Sequence, residues 1–124
     1  MFIKTIVFNN NPKNLGEIYI PLTLENKECK IQEKISDYPN TLMEEYNKIV
    51  ITDSAGMGKS TLLKFMFLRA INLNKGIPIF IELRKLNNEH TVIDEIMKEI
   101  NPINSNVDKH KVLDLISEGD FIFF

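Results

Sequence analysis

The chain has no tryptophan and a single cysteine, Cys29. One thiol cannot close an internal disulfide, so a reducing, cytoplasmic setting is the expectation. Excess charge is also missing: 15 basic and 17 acidic side chains leave a net charge of -2. That removes the electrostatic footprint of a nucleic-acid partner or an anionic membrane surface. No apolar run reaches bilayer-spanning length, and no membrane partner is expected. The opening stretch carries Lys4 and runs into asparagines, unlike a signal peptide. Neither repeats nor low-complexity tracts interrupt the chain. What is present, 44% hydrophobic and 26% charged residues over 124 positions, is ordinary globular composition with enough length for a real core.

Phe2-Ile3-Lys4-Thr5-Ile6-Val7-Phe8 is rich in β-branched and aromatic residues and predicts a strand, broken by Asn9-Asn10-Asn11-Pro12. Residues 17–24 predict a second strand, with Ile18, Ile20, Leu22 and Leu24 alternating on one face. Pro21 cannot donate to a ladder, which leaves an edge strand or an extended arm laid against the next domain. Residues 25–40 are polar and read as a connector with room for one weak helix. Residues 1–40 are therefore expected to form a strand-rich N-terminal arm and connector. Thr41, with Glu44 three residues on, predicts the N-cap of a short helix ending near Asn47.

Ile49-Val50-Ile51-Thr52 is short, continuous and β-branched, as suits a parallel strand covered on both faces. Residues 61–73 are apolar almost all round, which predicts a helix buried on several sides. Gly76 stands where a helix stop belongs, ahead of a buried-type strand over residues 79–83 that ends at Arg84. Thr91 predicts the cap of a helix with Val92, Ile93, Ile96 and Ile100 on one stripe, closed by Pro102. Asp108 does the same for a helix carrying Val112, Leu113, Leu115 and Ile116. Ser117-Glu118-Gly119-Asp120 turns the chain into a last strand, Phe121-Ile122-Phe123-Phe124. Strands alternating with helices imply right-handed βαβ units. The expected fold class is α/β, a mostly parallel sheet with flanking helices preceded by the strand-rich arm.

Between the expected strand and helix stands Asp53-Ser54-Ala55-Gly56-Met57-Gly58-Lys59-Ser60-Thr61. A nucleoside triphosphate needs backbone N–H groups converging on its phosphates and a cation near the transferred one. Glycines let the backbone approach closely with positive φ, and a helix N-terminus adds oriented donors. Gly56 and Gly58 supply the freedom, and Lys59 the reach to the β- and γ-phosphates. The Ser60 hydroxyl is the expected magnesium ligand, and Thr61 the contact to the α-phosphate. ATP and magnesium are thus the expected cofactors. Strict G-x-x-x-x-G-K-[ST] spacing would put glycine where Asp53 stands, and a carboxylate there repels phosphate unless it turns away. Met57 is expected to pack over the nucleotide or beneath the loop.

With this loop placed, the chain resembles the front of a NACHT-type P-loop ATPase of the STAND signalling class. The likeness is carried by residues 49–64, from Ile49-Val50-Ile51 through Gly58-Lys59-Ser60-Thr61-Leu62-Leu63-Lys64. It continues in Pro78-Ile79-Phe80-Ile81-Glu82-Leu83-Arg84-Lys85-Leu86, where the family has a strand ending in a leucine-arginine pair. Gly119-Asp120-Phe121-Ile122-Phe123-Phe124 is similar to the strand leading to the family's Walker B acids. Tyr19-Ile20-Pro21-Leu22 is similar to the extended arm ahead of bacterial NACHT domains. The resemblance implies a partial P-loop NTPase fold over residues 41–124 and a nucleotide-controlled switch of oligomerisation, often in defence. It also places the Walker B acids after Phe124, so the expectation for a chain truncated there is ATP binding without hydrolysis, and a gap in the sheet. Two other readings stand beside it. One is a small-molecule kinase or GTPase-like P-loop protein. The other is a non-catalytic interaction fragment that associates with itself or a larger homologue through an open sheet edge.

The remaining candidates are weaker. Arg84, at the ligand-binding edge of an open α/β sheet, either reaches a phosphate or is a solvated strand-end charge. Glu82 marks a half-exposed strand face. His90 and His110 lack metal-spaced companions and read as structural or surface residues. Cys29 lies in a polar stretch without a histidine and reads as an inert thiol. Lys109-His110-Lys111 reads as a solvated helical face.

Overall fold

Chain order begins with a two-residue pair, β1 (Phe2–Ile3) and β2 (Lys13–Asn14), antiparallel with Phe2 opposite Asn14. The computed structural model describes residues 2–3, 13–100 and 107–124. The rest of the expected first strand, its asparagine break and the Pro102 stop lie outside the described residues.

Asn14 caps a single turn, α1 (Leu15–Ile18), its side-chain oxygen accepting from the Gly16 amide at 3.0 Å. This turn replaces the first half of the strand expected over residues 17–24, and Ile20 is left 78% exposed. Local capping wins because Asn14 gives the turn a side-chain partner, while Pro21 denies a strand one of its ladder donors. Extended pairing begins only at β3 (Leu22–Asn26), antiparallel to β4 (Ile31–Ile35) with Leu22 opposite Ile35. The Asn26 side-chain oxygen accepts from the Glu28 and Cys29 amides, both at 3.0 Å, and Lys30 takes a left-handed φ of 55° to close the turn. β4 occupies the supposed connector: Ile31, Glu33 and Ile35 are the more buried positions, Gln32 and Lys34 the solvated ones.

α2 (Asn40–Glu45) starts one residue before the expected Thr41 cap. Pro39 holds the N-cap place without a side-chain hydrogen bond, so Thr41 falls inside the first turn. α3 (Lys59–Asn72) is the long helix and starts two residues earlier than expected. Its Leu62, Phe65 and Met66 are buried, in the unit that also buries Leu15, Ile35, Tyr38 and Leu42. The Tyr19 ring lies flat on Phe65, centroids 3.8 Å apart, and Arg69 pairs with Asp37 at 2.6 Å. These contacts belong to the first of two compact units, Met1–Arg69.

In the second unit, Ala70–Phe124, β5 (Ile77–Ile79) runs parallel to β6 (Phe121–Phe123), with Ile77 opposite Phe121. α4 (Val92–Ile100) and α5 (Lys109–Glu118) lie between them in sequence. The strand expected over residues 79–83 thus begins two residues early and stops at Ile79, and Leu83–Lys85 winds into a 3-10 turn. Both expected helix starts are found. The Asp94 carboxylate accepts from the Thr91 amide at 2.8 Å and hydroxyl at 2.6 Å, and Asp108 accepts from the His110 amide at 3.3 Å. Ile79, Ile96 and Val112 form the buried centre of this unit. Gly76 does not stop a helix: α3 ends at Asn72, and Asn74 takes the left-handed turn at φ 52°.

The expected mostly parallel sheet of a P-loop NTPase is not formed. The described residues make a small mixture of helix and strand with three separate two-stranded sheets, of which only β5–β6 is parallel. Residues 49–52 join none of them. Their backbone makes no hydrogen bond among the described residues, and Val50 is 76% exposed rather than covered on both faces. β-Branched residues favour extended backbone, but a strand also needs a neighbour's N–H and C=O groups, and none is aligned beside this segment. Among the described residues no helix is long and apolar enough to cross a membrane.

Candidate phosphate-binding loop

Residues 53–58 leave the extended segment and turn into the N-terminus of α3. Two of them have the backbone a phosphate loop requires: Gly56 at φ 81° and Gly58 at φ 85°. The Gly58 carbonyl accepts the first helical hydrogen bond, from the Leu62 amide at 2.8 Å. The amides of Lys59, Ser60 and Thr61 therefore precede every intrahelical acceptor, as first-turn amides must. The amides of Gly56 and Gly58 likewise have no acceptor among the described residues, while that of Met57 closes the turn over Ala55–Gly56. A run of unpaired N–H groups at a helix N-terminus is an anion site in waiting, because their partial charges and the helix dipole have the same sign.

Lys59 is drawn back into this turn. Its ammonium donates to the Asp53 and Ser54 carbonyls, both at 2.7 Å, so the loop wraps around its own cation. Asp53 does not pair with it within ion-pair distance. Its carboxylate instead accepts from the adjacent Ser54 amide at 2.6 Å, which takes that one amide out of the donor set. Ser54, Ala55 and Met57 are exposed on the rim, as is the Ser60 side chain in the first helical turn. No cluster of three histidine, cysteine or acidic side chains suited to a metal exists among the described residues. A magnesium ion at Ser60 would therefore take its other oxygens from phosphate and water, which is the habit of this ion at nucleotide sites. On that donor set a magnesium ion at the loop would arrive with phosphate.

A cleft of about 520 Å³ runs along the same unit from Lys59, Asp53 and Met57, past residues 48–52, to β3 and the β3–β4 turn, where Cys29 stands exposed and free. Met57 lines this cleft and lies open rather than packed beneath the loop. One contact was not foreseeable from the motif. Leu22, at the start of β3, packs on Gly58 so closely that a Cβ added there would sit 3.2 Å from its Cδ1. The only signal in the sequence was the Tyr19-Ile20-Pro21-Leu22 arm itself, which says nothing about where the arm docks.

The other candidates resolve as surface and structural chemistry within the second unit. Arg84 Nε donates to the Glu82 carboxylate at 2.7 Å from an exposed turn. His90 Nε2 sits 2.7 Å from the buried Glu95 carboxylate, with Lys85 and Lys98 at 3.9 and 4.0 Å. The hydrogen bond with His90 holds the Glu95 carboxyl below the usual carboxylate range, against the opposing pull of its burial. Lys109, His110 and Lys111 are exposed on α5. No protein-family model, curated protein or solved structure matches the chain.

Proposed function

We propose that residues 53–61 bind the phosphates of ATP together with magnesium. The observation that supports this is the pose of Lys59: an ammonium held by two loop carbonyls, in a loop with two left-handed glycines, at the first residue of a fourteen-residue helix. A phosphate oxygen is a stronger partner for that ammonium than a carbonyl, and the unpaired amides of Gly56 and residues 58–61 are the donors that would share its charge. Magnesium, when bound, neutralises phosphate charge. The chain's part is to present Lys59, the Ser60 hydroxyl and the Thr61 turn in one place. The likeness to NACHT-type ATPases extends the reading to a nucleotide-controlled signalling protein. It applies to the loop and its helix, not to the sheet.

The test is an equilibrium titration of the purified chain with labelled ATP and labelled GTP in magnesium, with Lys59→Ala alongside. Saturable ATP binding that Lys59→Ala removes is the expected result. Equal binding by the variant, or none by the wild type, would end the proposal, and a preference for GTP would move it to the GTPase-like reading. A second reading, a non-catalytic interaction module, is favoured by the unpaired backbone of residues 49–52 and the exposed Phe123 on β6. It predicts self-association by light scattering that is unchanged by magnesium-ATP and by Lys59→Ala.

A further inference from the structure

We infer that Leu22, anchored by Tyr19, positions the phosphate loop through Gly58, so that nucleotide affinity depends on the docking of the N-terminal arm. Gly58 is the junction of the loop and the helix. It precedes Lys59, holds a left-handed φ, and its carbonyl starts α3, so a shift of Gly58 moves the ammonium and the free amides together. The face of Gly58 on which other residues carry a side chain is occupied instead by a Leu22 methyl. The backbone that carries this methyl is itself tied down. The Leu22 amide donates to the Tyr19 hydroxyl oxygen at 3.4 Å, and the same hydroxyl donates to the Ile35 carbonyl of β4 at 2.9 Å. The Tyr19 ring then stacks on Phe65 of α3, 3.8 Å away with 9° between the planes. Gly58 and Phe65 are separated by about two helical turns. One four-residue stretch of arm therefore grips the loop at Leu22 and the helix behind it at Tyr19, and fixes the angle between them.

Resting as it does on reading residues 53–61 as a phosphate loop, the inference makes Leu22 a positioning residue with no contact to phosphate. By linkage, bound nucleotide should in turn hold the arm down. The experiment uses the full chain, labelled with nitrogen-15. Leu22→Ala is expected to displace the amide signals of Gly56, Gly58 and Lys59 without nucleotide, and to weaken magnesium-ATP binding about tenfold. Leu22→Met, which refills the volume, should restore both. Tyr19→Phe keeps the ring stack but removes the hydroxyl, and should shift the loop less than Leu22→Ala. Met66→Ala, in the same buried core but on α3 away from the loop, is the control for a general loss of stability. If Leu22→Ala moves the loop amides no more than Met66→Ala does at a matched fall in melting temperature, the inference is overturned. If the wild type binds no ATP, the phosphate reading falls, and the loop amide signals still decide whether Leu22 sets the loop.

Discussion

Three of the four glycines with positive φ meet three different surroundings, and the differences order the effects of adding a methyl group. At Gly76, φ 58°, a Cβ would lie 2.5 Å from the Asp120 carbonyl oxygen, a backbone atom that cannot rotate aside. At Gly58 the obstacle is a leucine methyl at 3.2 Å, which can give way, and at Gly56 nothing lies within 4 Å. All three alanine variants incur the left-handed penalty of about 1–2 kcal/mol. Gly76→Ala should add a backbone clash and lose about 3 kcal/mol or more in urea unfolding. Gly56→Ala should be the mildest in stability, and a reversed order would show that these backbone positions are misassigned. Glu95 gives a second residue-level prediction. Its folded-state pKa is lowered, so between that value and the ordinary glutamate value of about 4.3 the unfolded chain binds more protons than the folded one. Its contribution is complete above the ordinary value and is lost as pH falls through the folded one. Glu95→Gln should flatten that part of the acid limb of stability, while Asp37 and Asp94, also held low by Arg69 and Thr91, keep the remainder. An unchanged acid slope in the variant would contradict the His90–Glu95 pairing.

Among the elements, the helices of the second unit are fixed locally and should respond locally. Asp108→Ala removes the cap of α5 and should cost about 1 kcal/mol, and Val112→Ala, at a fully buried position, about 2–4 kcal/mol by chemical denaturation. Values below a few tenths for both would mean that α5 is not docked as described. The same locality explains what the sequence disclosed. Thr91 and Asp108 announce helix starts, and Gly119 a turn, because their hydrogen-bond partners lie within three residues of them. The phosphate loop is legible for the same reason, since glycines, lysine and helix start are contiguous. Sheets are not local. Residues 49–52 have strand composition but no partner, whereas β4 has a partner but a composition diluted by Gln32, Glu33 and Lys34. Asn14 and Pro21 together moved the start of β3 to Leu22, a competition between a cap and a ladder that apolar alternation does not register. The brace of Leu22 on Gly58 joins residues far apart in the chain, so no spacing rule could reveal it.

At the scale of the molecule, the candidate site lies wholly within Met1–Arg69, where β1–β2 and β3–β4 are two separate antiparallel pairs. Isolated two-stranded sheets are marginal by themselves, so the cohesion of this unit rests on its buried side chains, Leu15, Ile35 and Leu62 above all. A ligand that binds only the folded loop adds to that cohesion by mass action, about 2.7 kcal/mol at a hundredfold excess over its dissociation constant. Magnesium-ATP should accordingly raise the unfolding midpoint of the wild type and leave that of Lys59→Ala where it was. The most direct measurement is the amide spectrum of the nitrogen-15-labelled chain during titration with magnesium-ATP. Saturable shifts concentrated at residues 54–61, absent in Lys59→Ala, are the predicted result. Shifts confined to other parts of the chain, or none at concentrations where labelled ATP binds, would contradict the assignment of this loop as the phosphate site.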